Sequence, residues 1–379
     1  MRKVPELRFA GFDREWEENK LSDLGKISAG GDVDKKKLKI EGKYPVIANG
    51  DSNNGIIGYY NEDYRISEPA VTVSARGNIG TAVARNYPFT PVIRVLTFIS
   101  EDNIYFMSEV INRLRIFNES SGVPQLTSPQ FGSYKIFSTQ LCEQEKIGNL
   151  FRKFDDLIEI QEGKVAKLED LKKSMLQKTF PKKGELVPEF RFDGFDGDWI
   201  CNKSGNVFEL ISEKDFPDLD VLSATQDKGM ILRNDFSSDI QYDKNQLKNY
   251  KKVEPGDFVI HLRSFQGGFA HSSIEGITSP AYSVIRIKDE GSHFDLFWKT
   301  IFSSQNFINI LQKLIYGVRD GKSISFKDFK GIKLRYPTLA EQEKIGNFFK
   351  NLDAQIETEK KLLESYKMMK KSLLQKMFV

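Results

Sequence analysis

Arginine and amide side chains beside glycine in predicted turns are the residues of this sequence best suited to contact another molecule. Arginine can donate two hydrogen bonds to guanine, and asparagine or glutamine can pair twice with adenine. Residues 69–100 contain no acidic side chain but include Arg76, Arg85 and Arg94, and residues 313–335 contain seven basic residues against two acidic ones. These local patterns favour contact with nucleic acid, although the net charge of the chain is only +3.

Several Gly-flanked turns supply the candidate contact residues. For any one of these side chains, a solvated surface position is the simpler interpretation, so the prediction depends on the set. The candidates are Asn49, Asn53, Arg76, Asn78, Arg94, Gln125, Arg263, Gln266, Arg319, Lys322 and Ser323.

No sequence pattern is typical of an active site. The segment Gly317–Ser323, GVRDGKS, resembles a phosphate-binding loop but has three residues between its glycines where that motif needs four. The histidines His261, His271 and His293 are scattered, without cysteine or acidic partners at metal-ligand spacing. We therefore expect a chain that is non-catalytic by itself and that binds no metal or cofactor.

The composition is that of a globular protein of ordinary polarity. Hydrophobic residues make up 39% and charged residues 29% of the 379 residues, which is enough for two domains. No run of about 18 apolar residues is present, and the two cysteines do not indicate a disulfide framework. These features predict a cytoplasmic protein without a membrane span.

A long helical repeat organises the chain. Residues 141–180 and 339–378 are identical at 19 of 40 aligned positions. Apolar residues recur in both copies with the spacing of a coiled-coil seam, which is interrupted by Gln161 and Lys172 in the first copy. The predicted seam and partner residues are Ile147, Phe151, Phe154, Ile158, Leu168, Ile345, Phe349, Leu352, Ile356 and Tyr366.

A second repeat, which we call the head, opens each half of the chain. The segment between a head and the following long helix is called the body. Residues 4–20, VPELRFAGFDREWEENK, match residues 187–203, VPEFRFDGFDGDWICNK, whereas the bodies that follow show no similarity by eye. The predicted order is a first domain, a spacer helix, a second domain and a second spacer helix, over residues 1–140, 141–180, 181–338 and 339–379.

Both bodies mix runs of strands with short helices, which predicts an α+β protein. Only residues 181–186 separate the first long helix from the second head. Since this linker spans about 20 Å at most and the helix about 54 Å, the second helix must run back antiparallel. We expect two α/β domains joined by two long antiparallel helices that form an intramolecular coiled coil, with pseudo-twofold symmetry.

These motifs resemble the specificity subunit of type I restriction-modification systems over essentially the whole chain. The resemblance lies in the VPE-x-RF-x-GF heads, the L-x-EQEKIG helix starts and the LLQK- or MLQK-like tails. The first start, FSTQLCEQEKIG, lacks the proline of the second, YPTLAEQEKIG. The resemblance implies that each body is a target recognition domain that reads one half of a bipartite, asymmetric DNA site, with the helices setting the gap.

The resemblance also implies partners. These are double-stranded DNA, two modification (methyltransferase) subunits docked along the helices, and restriction (translocase and nuclease) subunits. S-adenosylmethionine, ATP and magnesium are expected on the partner subunits and not on this chain. The complex would be an adenine-specific DNA methyltransferase or a type I site-specific deoxyribonuclease.

Two other classes of function remain open from the sequence. A coiled-coil structural adaptor that joins two protein-binding domains would show no salt-dependent affinity for duplex DNA, whereas a DNA reader loses affinity steeply as salt rises. A self-sufficient methyltransferase would bind S-adenosylmethionine without partners.

Inserting seven residues into both long helices should change the gap between the half-sites. One heptad keeps the seam facing inward and adds about 10 Å, or about three base pairs. Sites with the original gap should then lose methylation, as methylome sequencing would detect. Methylation of the original sites by the lengthened protein would contradict the spacer role.

Overall fold

A computed structural model describes residues 3–50, 52–116, 125–235, 244–314 and 324–379 of the chain. Its contacts divide the chain into two units. The first unit comprises Met1–Gly163 and Lys360–Val379, and the second comprises Lys164–Glu359. Both contain sheets and helices, as predicted, but each long helix is shared between the units near its middle.

In the described part of the first unit, the strands form a four-stranded antiparallel sheet (order β2-β8-β5-β6), a three-stranded sheet (β4-β3-β7) and a two-stranded ribbon (β1-β9). The strands are β1 (Glu17–Lys20), β2 (Gly25–Ala29), β3 (Tyr44–Ile47), β4 (Ile56–Tyr60), β5 (Ala70–Ser74), β6 (Ala82–Arg85), β7 (Thr90–Pro91), β8 (Val95–Ser100) and β9 (Lys135–Ser138). The helices are α1 (Leu21–Leu24), α2 (Ile104–Asn112), α3 (Ser128–Ser133) and the first half of α4 (Leu141–Lys178).

The described part of the second unit contains a four-stranded antiparallel sheet (order β11-β18-β15-β16) and three two-stranded ribbons (β10-β19, β12-β13 and β14-β17). Its strands are β10 (Ile200–Lys203), β11 (Phe208–Ile211), β12 (Leu222–Ala224), β13 (Met230–Leu232), β14 (Lys251–Val253), β15 (Phe258–Ile260), β16 (Ala270–His271), β17 (Gly276–Thr278), β18 (Ser283–Ile287) and β19 (Lys333–Tyr336). Its helices are α5 (Ser204–Val207), α6 (Ser264–Gly267), α7 (Asp295–Phe302), α8 (Gln305–Leu314), α9 (Phe326–Phe329) and the first half of α10 (Leu339–Met377). Within the residues described, no helix combines the length and apolarity that crossing a bilayer requires.

The two bodies share a sheet topology that their sequences hide. In the first unit β2 pairs with β8, and β8 pairs with β5. In the second unit β11 pairs with β18, and β18 pairs with β15, in the same order. The starts of β5 and β15 are 188 residues apart (258 − 70), as are those of β6 and β16 (270 − 82) and of β8 and β18 (283 − 95). Both bodies therefore use one scaffold, and their differences lie in the connections between strands.

The two long helices run antiparallel within each unit. In the first unit, ion pairs join Asp155 to Lys370 at 2.5 Å and Glu162 to Lys367 at 2.8 Å. The second unit has the corresponding pairs Lys164–Glu359 and Lys172–Asp353, both at 2.6 Å. Lys172 and Glu359 are polar interruptions of the predicted seam, so these positions form cross-helix ion pairs.

Most of the predicted seam residues are buried. Of the ten predicted seam residues, only Ile158, Leu168 and Tyr366 are half-buried, and the other seven are buried. The helical prediction is confirmed along both copies, since α4 and α10 run without interruption for 38 and 39 residues.

A buried ion pair ties each head to the start of a long helix. The Arg8 guanidinium donates to both carboxylate oxygens of Glu143, at 2.6 and 2.8 Å. Arg191 makes the same bidentate contact with Glu341, at 2.9 and 2.7 Å. Both carboxylates are almost fully buried, with exposed fractions of 0% and 1%. The arginine of each RF head is thus the partner of the first glutamate in each EQEKIG start.

The following glutamine ties the same helix start to the body. Gln144 accepts from the backbone N–H of Asn103, at 3.0 Å, and Asn103 is the N-cap of α2. Gln342 accepts likewise from the N–H of Phe294, the N-cap of α7, at 3.1 Å. The EQ pair therefore joins three elements: the head, the long helix and a helix of the body, α2 in the first unit and α7 in the second.

The glycine of EQEKIG allows this close approach. A Cβ at Gly148 would lie 2.1 Å from Asn103 Oδ1, and one at Gly346 would lie 2.8 Å from the backbone nitrogen of Phe297. Gly163, farther along α4, has no atom within 4 Å of an added Cβ. Only the first two glycines are required by packing.

Aromatic residues at the helix ends complete both cores. Trp16 packs edge-on against Phe106 and Phe378, with ring centroids 5.5 and 6.0 Å apart. In the second unit, Trp199 packs in the same way against Phe180, at 6.1 Å. Since Phe180 and Phe378 follow the ends of α4 and α10, each helix contributes its start to one core and its end to the other.

Replacing Arg8 by alanine should weaken the first unit selectively. The buried Glu143 carboxylate would lose its counter-charge, which typically costs about 3–5 kcal/mol. Hydrogen-exchange mass spectrometry should show faster exchange in α2 and at the start of α4, with the second unit unchanged. The exposed Arg14→Ala is the matched control. Equal protection in the two variants would show that the Arg8–Glu143 pair does not hold the head in place.

Alanine should have opposite effects at two glycines of the same helix. Gly148→Ala should destabilise the first unit by about 1–3 kcal/mol, because its methyl group overlaps Asn103. Gly163→Ala should stabilise α4 by about 0.5–1 kcal/mol, because alanine favours a helix and meets no neighbour. Urea unfolding followed by circular dichroism measures both changes. The same sign for both substitutions would disprove the close approach.

Candidate nucleic-acid interface

Loops of the first unit meet at Ala75, directly after β5. The Ala75 N–H donates to Asn49 Oδ1 at 2.8 Å and to the carbonyl of Arg94 at 3.2 Å. The Ala75 carbonyl accepts from the N–H of Leu126, next to Gln125, at 2.9 Å. The structure therefore brings together three predicted contact residues, Asn49, Arg94 and Gln125, that are far apart in sequence.

The turn after Ala75 carries two more candidates. Arg76 and Asn78 are exposed. The Asn78 carbonyl accepts from the Ser74 hydroxyl and from the Thr81 hydroxyl, the latter at 3.1 Å, so side chains of the adjoining strand ends hold the turn. This turn presents Arg76 and Asn78 beside the loops that meet at Ala75.

Backbone strain is concentrated in the same region. Among the described residues other than glycine, four have positive φ, and three of them, Asn53 (49°), Asn54 (50°) and Arg94 (74°), lie in these loops. Asparagine tolerates this conformation, but for arginine it is unfavourable. Residues held in such conformations cluster at binding sites, because surrounding contacts must fix them. Asn53, a predicted contact residue, is also exposed.

In the second unit, two candidates lie in the turn after β15. Arg263 and Gln266 are exposed, and Gln266 Oε1 accepts from Gln226 Nε2 at 2.9 Å. Gln226 lies in the turn between β12 and β13, which also carries the exposed Lys228. Neither residue was among the predicted contacts, although TQDKG has the same polar, Gly-flanked composition as the turns that were selected.

The remaining candidates, Arg319, Lys322 and Ser323, lie outside the described residues. The chain leaves the described part after Leu314 of α8 and returns at the buried Ile324. Ser325 then caps α9 with a capping box.

We call the loops that meet at Ala75 the loop cluster of the first unit, and the turns that carry Arg263 and Gln226 that of the second. The two loop clusters occupy the same topological position. Residues 75–80 follow β5 and residues 261–267 follow β15, the third strand of each four-stranded sheet. Their sequences, ARGNIG and HLRSFQG, have no base-reading residue in common at equivalent places. The scaffold thus presents two different sets of side chains from equivalent edges.

Two titratable side chains of the second unit, Arg286 and His261, have pKa values shifted by the fold. Arg286 donates to both oxygens of the buried Asp257, at 2.7 and 2.8 Å, and this pairing raises its pKa above the ordinary value. Arg286 is therefore committed to the fold. Burial and, to a lesser extent, the charge of Arg263 together lower the pKa of His261 to about 4. His261 is neutral at pH 7, and its Nδ1 accepts from the Arg263 N–H at 3.3 Å.

A search of the described residues finds no group of three or more His, Cys, Asp or Glu side chains that could hold a metal ion.

Comparison with known proteins identifies the units. The family model for the type I restriction modification DNA specificity domain matches residues 13–170 and again residues 196–367. The chain belongs to this family. Each specificity-domain match includes one body with its loop cluster and most of one long helix, in agreement with the internal repeats.

Individual relatives agree with this assignment. Two proteins of Mycoplasma pneumoniae, named as proposed type I specificity subunits, are 34% and 31% identical over 135 and 173 residues. These matches cover 34% and 42% of this chain, and 37% and 50% of the relatives. The chain thus spans half or less of the length of the relatives that it matches here.

The fold has a solved counterpart. The crystal structure of the type I restriction-modification system S subunit from M. genitalium matches 99% of both chains with a TM-score of 0.68 and 15% identity. At this identity the match shows that the specificity-domain fold is shared.

Proposed function

We propose that this chain is the DNA-reading subunit of a type I restriction-modification complex. Each specificity domain reads one half of a bipartite DNA site. The observation that carries the proposal is the pair of loop clusters, one per domain, at equivalent sheet edges. Because the two clusters carry different side chains, the two half-sites differ and the site is asymmetric.

The chemistry of the clusters supports base reading. Exposed Arg76 and Asn78 in the first domain, and Arg263 and Gln266 in the second, are the side-chain types that make bidentate contacts with guanine and adenine in the major groove. The Asn78 carbonyl accepts from the Ser74 and Thr81 hydroxyls, and the Gln266 side chain accepts from Gln226, which reduces the entropy lost when DNA binds.

The long helices serve as the spacer and as the docking site for modification subunits. Helices of 38 and 39 residues are each roughly 57 Å long. Some of their large apolar side chains face solvent, which supports a protein partner: Leu157 and Ile160 on α4 are 43% and 69% exposed, and Met368 on α10 is 63% exposed. The partners carry S-adenosylmethionine for adenine methylation, and restriction subunits add ATP- and magnesium-dependent cleavage.

Salt dependence separates this function from that of a protein adaptor. Affinity of the full chain alone for its cognate duplex should fall steeply and linearly on a log–log plot against salt concentration. An adaptor that joins two protein-binding domains predicts no such affinity. The cognate sequence is obtained beforehand by methylome sequencing of cells that express the complex.

Alanine at one arginine of each cluster should relax one half-site only. Arg76→Ala should cost about 1–3 kcal/mol of binding free energy and reduce discrimination at one base of the first half-site, and Arg263→Ala should do so in the second. Each variant is therefore the control for the other. Lys299→Ala, at an exposed position on α7, should leave both half-sites unchanged. Uniform weakening on every sequence would instead indicate that the arginine contacts a phosphate.

A further inference from the structure

Arg85 is a buried cation beneath the loop cluster of the first domain. It ends strand β6 and is only 3% exposed. Its Nε donates to the Thr72 hydroxyl at 3.1 Å, its Nη1 to the Tyr87 hydroxyl at 3.1 Å and its Nη2 to the Asn54 carbonyl at 2.5 Å. All three acceptors are uncharged.

This environment differs from that of other arginines in the protein. Arg8, Arg191 and Arg286 each donate to two oxygens of a buried carboxylate. For Arg85, the contacts found among the described residues include no carboxylate, and residues 69–100 contain no acidic residue at all. A buried charge without a counter-charge is costly, so an anion bound at this position would stabilise the domain.

A pocket gives such an anion room. It has a volume of about 280 Å³ and lies between the loop that contains Asn54 and the turn that contains Asn78. Arg85, Thr72, Ser74 and Thr81 are among its lining residues. A guanidinium has five N–H donors, of which the contacts above use three. Two donors therefore remain for a ligand in the pocket.

We propose that Arg85 binds one backbone phosphate of the target DNA from within this pocket. The inference rests on the proposed function, since it names a further contact of the same interface. Arginine matches phosphate oxygens in geometry and charge, and phosphate contacts fix the register of a protein on DNA without reading sequence. Because Arg85 also holds the Asn54 carbonyl, phosphate binding and the conformation of the strained loop are coupled.

The site should exist in one domain only. The offset of 188 residues that relates β6 to β16 leads from Arg85 to Ser273, which carries no charge. The phosphate contact of Arg85 therefore belongs to the first half-site, and other groups bind the second half-site.

Single neutral phosphates in the DNA test the proposal. Duplexes of the cognate site carry one methylphosphonate at successive positions and are bound to the full chain in complex with its modification subunits. We expect one substitution in the first half-site to weaken wild-type binding by about 10- to 100-fold and to leave Arg85→Met binding unchanged. The slope of log affinity against log salt should fall by about 1 in Arg85→Met and be retained in Arg85→Lys.

Control variants identify the other outcomes. Arg65→Met removes an exposed arginine that donates to the carbonyls of Pro91 and Asp32, and it should keep the wild-type sensitivity. Asp51, the acid within the 49–54 loop, lies outside the described residues. If Asp51→Asn reproduces the Arg85→Met loss, the partner of Arg85 is that carboxylate and the proposal is overturned.

The result remains decisive if Arg85→Met does not fold. Arg85→Lys keeps the charge but not the two-pronged geometry, and it should keep the salt slope with reduced sensitivity at the same phosphate. Equal sensitivity of wild type and Arg85→Lys at every position would overturn the proposal. If the wild type binds no DNA selectively, the proposed function itself fails, which is distinct from selective binding without an Arg85-dependent phosphate.

Discussion

The buried pairing of Arg8 with Glu143, and of Arg191 with Glu341, is the interaction on which the remainder of the architecture depends. It fixes where each long helix begins relative to its head, and the adjacent glutamine fixes α2 or α7 of the body to the same point. Both contacts are made by charged or amide groups in nearly water-free surroundings, where a partner with the wrong geometry would leave an unsatisfied polar group. The orientation of each body on its helix is therefore specified by few side chains, and the loops can vary without disturbing it.

The helices could be predicted from sequence because their signal is local and repeated. Seam residues such as Phe151 and Phe349 recur at heptad spacing, and two copies of the pattern confirm each other. The common sheet of the two bodies could not be predicted in this way. Its strands are two to six residues long, and central ones such as Ala70–Ser74 and Phe258–Ile260 are almost entirely buried, so they lack the alternation that marks a half-exposed strand. Strand order is set by tertiary pairing that neither sequence displays.

The candidate interface shows a similar division. Gly-flanked composition was sufficient to select Asn49, and the acid-free stretch to select Arg94, but their convergence on the backbone of Ala75 depends on connections folding over one strand end. Gln226 has the same local composition as the selected turns, but its pairing with Gln266, 40 residues away, is seen only in the folded chain. Arg85 lies in the acid-free stretch noted from the sequence, yet its burial under the loops could only be seen in three dimensions. Whether these residues contact DNA stays a prediction.

The division of the chain into units has a consequence for biosynthesis. The second unit is one continuous stretch, Lys164–Glu359, whereas the first unit is completed only by Lys360–Val379, which bring Phe378 to Trp16 and Phe106. The ribosome therefore synthesises the entire second unit before the last residues of the first core. The usual order, in which the amino-terminal domain matures first, is reversed here. Until then the aromatic surface around Trp16 is exposed to solvent and to chaperones. Contact between Trp16 and Phe378 closes a loop of more than 300 residues. The entropic cost of closing a loop grows only slowly with its length.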